Sequence, residues 1–264
     1  MPVFDIAACS ALIDDVTAIA AHAAAAIRQM NVTSLRRKAD GSPVTAADEA
    51  AEAVIWQGLE DLAPAIPIVS EERSAQNKPH TLALESQTYF LVDPLDGTRE
   101  FIAGRDEFTV NIALISAGAP ILGVIAAPAA DVTWRGIVGR GADRVPLRGK
   151  GQPVAIRTRA RPVNPLIMVS RSHLDDRTKA YLARLPHGLP QPCGSSIKFC
   201  RIAEGAADLY PRLAPTHDWD VAAGHAIVVA AGGDVRAADG SALVYGGPNR
   251  LISDFIVRGD PNKD

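Results

Sequence analysis

Cysteine is scarce in this chain: Cys9, Cys193 and Cys200 are the three among 264 residues. An odd count without CxxC spacing excludes a disulfide framework and a thiolate metal site, and it suits a reducing cytosol. Neither sign of charge dominates. The 27 basic and 30 acidic residues leave a net charge of −3, so no global field exists to hold a nucleic acid polymer, and an anionic ligand must be met by a local cluster. The opening Met1-Pro2-Val3-Phe4-Asp5 lacks the basic region of a signal peptide. Apolar stretches are broken by Asp, Arg or Gly short of a membrane span. A cytoplasmic protein without a transmembrane segment is expected, with peripheral inner-membrane association left open. Internal repeats and low-complexity linkers are missing too. What is present is 47% hydrophobic and 22% charged, the balance of a folded chain with a substantial core.

Residues 5 to 29 carry Ile6, Leu12, Ile13, Val16, Ile19 and Ile27 at helical spacing. A polar loop, Arg36 to Pro43, precedes a second helix that starts at Thr45 and stops before Pro64. Ile66–Val69 and Tyr89–Asp93 read as strands, and 108–116 with 120–127 as a hairpin around Gly118-Ala119-Pro120. Residues 129 to 165, rich in Gly, Pro and Arg, give weak strands at best. A strand at 166–170, helices near 175–185 and 195–205, a helix after Trp219-Asp220 ended by Gly232-Gly233, and strands near 243 and 252–257 complete the chain. Mixed elements of this kind predict a layered α/β architecture. A lobe boundary is expected at 145/146: residues 1–145 form an α+β lobe with most metal ligands, and residues 146–264 an α/β lobe with the substrate loops and the last ligand.

The strongest chemical signal is Asp93-Pro94-Leu95-Asp96-Gly97-Thr98. An apolar strand delivers Asp93 at its carboxyl end, Pro94 fixes the backbone, and Asp96-Gly97 turns a second carboxylate back beside the first. Two converging carboxylates repel unless a hard cation sits between them, and all-oxygen ligation suits Mg²⁺. The carbonyl of Leu95 is a further neutral ligand. Gly97 and Thr98 open a short helix whose first N–H groups suit an anion, as metal-assisted phosphoryl transfer requires. Val69-Ser70-Glu71-Glu72 brings a third carboxylate to the same sheet edge, and Asp220 stands at the start of an Ala-rich helix. Thr45 as N-cap and Asp48 in the first turn are fully explained by helix capping, although a hydroxyl–carboxylate pair can also take a proton from a metal-bound water. Gly194-Ser195-Ser196-Ile197-Lys198, Ser170-Arg171-Ser172-His173 and Leu209-Tyr210-Pro211-Arg212 are candidate substrate loops or plain surface elements.

Together, Ser70-Glu71-Glu72, Asp93 to Thr98 and Trp219-Asp220 to Gly224 resemble the lithium-sensitive, Mg²⁺-dependent phosphatase superfamily of inositol monophosphatases, fructose-1,6-bisphosphatases and bisphosphate nucleotidases. The resemblance covers nearly the whole chain, although 73–88 and 129–160 match poorly. Ser42 to Asp48, Glu107 to Ile115, Ser170 to His173, Gly194 to Cys200 and Leu209 to Arg212 resemble the CysQ-type 3′(2′),5′-bisphosphate nucleotidase group more closely. The resemblance implies an α/β/α/β/α sandwich of the inositol monophosphatase type, acting as a monomer or homodimer. It implies one Mg²⁺ on Glu71, Asp93 and the Leu95 carbonyl, a second on Asp93, Asp96 and Asp220, a third near Glu71 and Asp48, and inhibition by Li⁺. Catalysis would fall to Asp48 and Thr98, which orient the attacking water and take its proton. Substrate would meet Glu71, Asp96, Gly97, Thr98, Arg99, His173, Ser195, Ser196, Lys198, Arg212 and Asp220. The implied substrate is 3′-phosphoadenosine 5′-phosphate, a by-product of sulfate activation, and its sulfated precursor is a further candidate. Rival readings are an inositol or other sugar phosphate as substrate, a non-catalytic nucleotide and metal sensor, and a structural Ca²⁺ module.

Overall fold

The computed structural model describes residues 5–30, 35–37, 43–75, 87–149, 151–185, 187–247, 249–260 and 262. Ser42, His80 and the middle of the expected 36–43 loop lie outside them. Helix α1 (Ile6–Gln29) starts at Asp5, whose carboxylate accepts the Ala8 N–H at 2.8 Å. By length and composition α1 is apolar enough to cross a membrane, which the sequence reading did not anticipate. One face, from Cys9 to Ile27, is buried against the protein, the pattern of an amphipathic helix packed on the core. Strands β1 (Leu35–Arg37) and β2 (Pro43–Thr45) pair antiparallel, and helix α2 (Ala46–Leu62) begins at the Thr45 cap.

Seven strands form the first sheet in the order β3 (Ile68–Ser70), β4 (Thr88–Asp96), β5 (Thr109–Ser116), β6 (Ala119–Ala127), β7 (Val132–Ile137), β8 (Gly141–Pro146) and β9 (Val154–Ile156). Short helices α3 (Glu71–Ala75) and α4 (Thr98–Ile102) follow the ends of β3 and β4. The expectation of weak strands across 129–165 is therefore corrected: β7 and β8 extend the meander in full register. Arg135 is buried, with Asp14 and Asp143 both holding its guanidinium.

The chain crosses to a second sheet between Ile156 and Leu166. Its order is β11 (Leu189–Cys193), β10 (Leu166–Ser170), β12 (Leu209–Arg212), β16 (Phe255–Arg258) and β14 (Asp234–Arg236). Helices α5 (Asp176–Leu182), α6 (Ile197–Ala203) and α7 (Ala222–Ala230) connect these strands, and β13 (Thr216–His217) pairs with β15 (Leu251–Ile252). The strand expected near 243 is a single bridge between Arg236 and Ala242. Helix α7 ends as Gly232-Gly233 predicts: Gly232 takes φ +97°, and the Gly233 N–H returns to the Val228 carbonyl at 2.9 Å.

Alternation along β4 shows how the layers stack. Phe90 and Val92 face α1 and α2, whereas Tyr89 and Leu91 face α6 and α7. Those two helices are covered on their far side by Tyr210, Phe255 and Val257 of the second sheet. The sheet's other face, with Ile167, Val169 and Leu209, packs on Tyr181 and Leu182 of α5. The result is the expected five-layer α/β/α/β/α sandwich.

One close approach in this stack places a functional element. Gly123 of β6 pairs with Gly136 of β7, making a flat patch on the first sheet. A Cβ on Gly123 would lie 2.2 Å from the Ala223 carbonyl oxygen, and one on Gly136 would lie 2.9 Å from the Ala230 Cβ. Backbone cannot yield as a side chain can, so α7 rests directly on the sheet and carries Asp220 inward with it. Gly123→Ala should therefore cost about 1–3 kcal/mol in urea unfolding. Gly247→Ala, where a Cβ meets nothing within 4 Å, should stay within about 0.5 kcal/mol of the parent protein.

Candidate active site

The carboxyl end of β4 breaks its own ladder. Asp93 pairs with Asn111 and Asp96 with Thr109, so Pro94 and Leu95 together oppose Val110 alone. Proline is tolerated at such a bulge because it has no N–H to place in the ladder. The Leu95 N–H turns back to Asp93 Oδ1 at 3.0 Å. Asp96 and Gly97 then point the chain into α4. Gly97 adopts φ +91°, and a Cβ there would stand 2.8 Å from the Glu107 carbonyl. Glycine is the residue that fits both demands.

The Thr45 cap serves more than its helix. Asp48 Oδ2 accepts the Thr45 N–H and hydroxyl, each at 2.7 Å. Asp48 Oδ1 lies 3.1 Å from the Thr98 hydroxyl, across fifty positions of sequence. That hydroxyl also lies 3.1 Å from the Leu95 carbonyl. With one proton it can donate to only one of them, and its oxygen keeps lone pairs to accept from a third group. Capping and the hydroxyl–carboxylate pair are therefore one arrangement.

Around this turn lies a cavity of about 340 Å³, within the range of small-molecule sites. The residues expected to hold the first two metals and the substrate all line it, from Glu71 and Asp93 through Lys198 and Arg212 to Asp220. Asp48 is not part of the lining and reaches it through Thr98. Carboxylate oxygens of Glu71, Asp93 and Asp220 lie within 4.8 Å of one another. Asp93 is almost fully buried. Charges packed this tightly around a buried carboxylate are relieved by a cation or by protons, and a carboxylate-only donor set suits Mg²⁺. The geometry thus groups Asp220 with both Glu71 and Asp93, and its charge reaches Asp96 as well. Asp96 feels the same crowding. Its pKa is pushed up to about 7, chiefly by burial and then by the Asp220 charge, with Lys198, the Ser196 N–H and Arg212 pulling the other way.

Cations gather on the rest of the wall. Lys198 is buried, and its ammonium donates to the Cys193 carbonyl at 3.2 Å and to the Ser195 carbonyl. These bonds brace a loop in which Ser195 takes φ +47°. One of the three ammonium protons remains for a ligand. The Ser196 hydroxyl is tied to Thr109 and Asn111 at 2.8 and 2.7 Å. His173 sits 3.2 Å from Arg99 through Nε2. Arginine can only donate, so that nitrogen accepts and the proton sits on Nδ1. Burial, then the charges of Arg212 and Arg99, lower the His173 pKa, which favours the neutral ring. Arg212 gives an N–H to the Pro215 carbonyl at 3.4 Å, while its buried Nε has no protein partner.

Sequence reading missed several residues here. Tyr210 lies on the same face of β12 as Arg212, and its ring centroid is 5.2 Å from the Lys198 ammonium. Alternation along Leu209-Tyr210-Pro211-Arg212 carried that signal. Thr216 donates its hydroxyl to Asp220, and His217 stacks on Trp219 at 4.5 Å. A two-residue strand leaves no period to detect. Asp220 does not cap α7: Val221 holds the cap position, and Asp220 ends a preceding 3₁₀ turn.

A pH dependence follows from the crowded acids. Between about pH 4 and 7 the folded, metal-free chain holds a proton on Asp96 that the unfolded chain has released, so this group's stabilisation is lost as pH rises. Asp218, raised to about 6 mainly by burial, acts in the same direction. Cations compete with these protons. Saturating Mg²⁺ should therefore raise the melting temperature more at pH 8 than at pH 5 in a thermal scan. Equal increments at the two values would contradict the arrangement.

Comparison with known proteins agrees with this geometry. A sequence model described as the inositol monophosphatase family matches residues 4–257. The chain is 46% identical over 243 residues to the 3′(2′),5′-bisphosphate nucleotidase CysQ of Escherichia coli strain K12, covering 89% of this chain and 94% of that protein. It is 33% identical to the protein of the same name from Aggregatibacter actinomycetemcomitans, over 94% and 92% of the two chains. Among solved structures, CysQ from Bacteroides thetaiotaomicron superimposes with a TM-score of 0.80 at 35% identity, over 93% of this chain and 96% of that one. An inositol monophosphatase from Anabaena shares the fold, with a TM-score of 0.75 at 24% identity over 96% and 92% of the two chains. From the bulged Asp93–Asp96 turn to the five stacked layers, this chain belongs to the inositol monophosphatase family.

Proposed function

We propose that this chain is a Mg²⁺-dependent 3′(2′),5′-bisphosphate nucleotidase, cutting 3′-phosphoadenosine 5′-phosphate to AMP and phosphate. One observation carries the reading: a single cavity joins the carboxylates of Glu71, Asp93, Asp96 and Asp220 to the cations of Arg99, Lys198 and Arg212. A substrate with two separate phosphates uses both sets of groups. A sugar monophosphate leaves buried donors without an acceptor, which selects against it. The names of the relatives at 46% and 33% identity support the same choice. Three free, buried cysteines support a reducing, cytoplasmic setting.

Glu71, Asp93, Asp96, Asp220 and the Leu95 carbonyl would hold Mg²⁺, which when bound neutralises phosphoryl charge and makes water a better nucleophile. The chain's own groups handle the proton. Asp48 accepts the Thr98 O–H, which leaves the Thr98 oxygen facing the cavity as an acceptor for the attacking water. As the water oxygen bonds to phosphorus and the bond to the 3′-oxygen breaks, the water proton passes to this pair, and the departing 3′-oxygen takes a proton from solvent to give the 3′-hydroxyl of AMP. The N–H groups of Gly97 and Thr98, at the open start of α4, donate to the phosphoryl oxygens as charge builds there. Arg99, Arg212 and the third proton of Lys198 take the second phosphate.

Phosphate release with Mg²⁺ from 3′-phosphoadenosine 5′-phosphate and, in parallel, from inositol 1-phosphate tests the reading. We expect kcat/KM at least about 100-fold higher for the nucleotide, loss of activity with EDTA and suppression by Li⁺. Comparable rates on the two substrates would overturn the substrate assignment.

A further inference from the structure

The cavity is assembled from two sheets whose contributions are far apart in sequence. The acids and the Gly97–Arg99 turn follow β4. The Ser170–His173 and Cys193–Ser196 loops follow β10 and β11 of the second sheet. One side chain bonds both of those loops to the β4 side. Glu107, just before β5, accepts the Arg171 guanidinium in a fork, Nε to Oε2 at 2.8 Å and Nη2 to Oε1 at 2.6 Å. Its Oε2 also accepts the Gly194 N–H at 2.7 Å. Arg171 passes the bracing on, giving the other Nη2 proton to the Pro192 carbonyl at 3.0 Å. The Arg171 hydrogen bonds lead the causes that hold the Glu107 carboxyl below its ordinary pKa.

Packing enforces the same junction. A Cβ on Gly194 would stand 2.7 Å from the Glu100 Cγ and 2.9 Å from the Glu107 Cβ. The Glu107 carbonyl is also the atom that forbids a Cβ on Gly97. Glu100, buried, adds a bond from the Ser172 hydroxyl at 2.6 Å. Glu107 itself does not line the cavity. As a partly exposed ion pair it adds little stability, whereas its bidentate geometry fixes position.

We infer that Glu107 is a positioning residue that sets substrate discrimination, holding the two second-sheet loops in register with the phosphate-binding turn. The inference rests on the bisphosphate reading for its substrate class. Distal groups of the substrate meet the loops Glu107 holds, whereas a small monoester meets the β4 turn alone. Glutamine at this position has one oxygen for the Arg171 and Gly194 donors together, and its amide would oppose the guanidinium.

The test compares Glu107→Gln, Glu107→Asp and the parent enzyme on 3′-phosphoadenosine 5′-phosphate and p-nitrophenyl phosphate, with amide hydrogen exchange of each protein. For Glu107→Gln, the ratio of kcat/KM between the two substrates should fall about tenfold, mainly through KM on the nucleotide. Exchange at Gly194 should accelerate by a similar factor, and Glu107→Asp, which keeps the charge, should recover part of both. Equal losses on the two substrates would reduce Glu107 to a structural residue and overturn the inference. So would unchanged exchange across 193–196. The parent enzyme's own preference reports separately on the bisphosphate reading, because the exchange experiment uses no substrate.

Discussion

Repulsion among carboxylates held close together in a largely buried wall is the constraint on which the rest of this structure depends. Glu71, Asp93 and Asp220 come from the end of β3, the end of β4 and the approach to α7, and their oxygens still lie within 4.8 Å of one another. Left alone, such charges separate, take up protons or draw in water. The fold prevents separation by independent devices. The β4 bulge redirects the chain at Asp96, whose side chain lines the same cavity as Asp93 and feels the Asp220 charge, and the paired glycines of β6 and β7 let α7 sit close enough to bring Asp220 in. The Thr216 hydroxyl then holds Asp220 from the side. Repulsion is concentrated at this point, where a divalent cation would relieve it.

Polar groups around the acids serve two levels of structure at once. Thr45 caps α2 and also braces Asp48, and Asp48 in turn fixes the Thr98 hydroxyl at the cavity. Lys198 stabilises a strained loop through two carbonyls while its ring partner Tyr210 lines the same wall. Glu107 joins loops from the second sheet to the first. Removing any one of these groups disturbs both folding and site geometry, so their effects on activity should not add independently.

Much of this was legible in the sequence because it is local. The Asp93–Thr98 turn encodes its own bulge through Pro94 and Gly97, and Thr45 with Asp48 encodes a helix start. The small face of Ala222, Ala223 and Ala226 announces a helix that packs closely. Other features are properties of pairing and leave no local trace. Gly123 and Gly136 matter because they become cross-strand neighbours, and Arg135 hides in the core because Asp14 and Asp143 approach from other elements. The 129–165 segment reads as irregular because its glycines, prolines and arginines obscure the alternation, although Trp134 and Ile137 are fully buried. The grouping of Asp220 with Glu71 likewise depends on where α7 docks, which no spacing rule supplies.

The central claim is that this carboxylate cluster is a divalent cation site held together by the fold. Equilibrium binding of Mn²⁺, followed by electron paramagnetic resonance on the parent protein and on Asp93→Asn, tests it most directly. The account predicts saturable binding by the parent protein and at least about tenfold weaker binding by the variant, with the melting temperature of the metal-free variant equal to or above that of the parent because one buried charge is gone. Mn²⁺ binding of equal strength in the two proteins, or none in the parent, would contradict it.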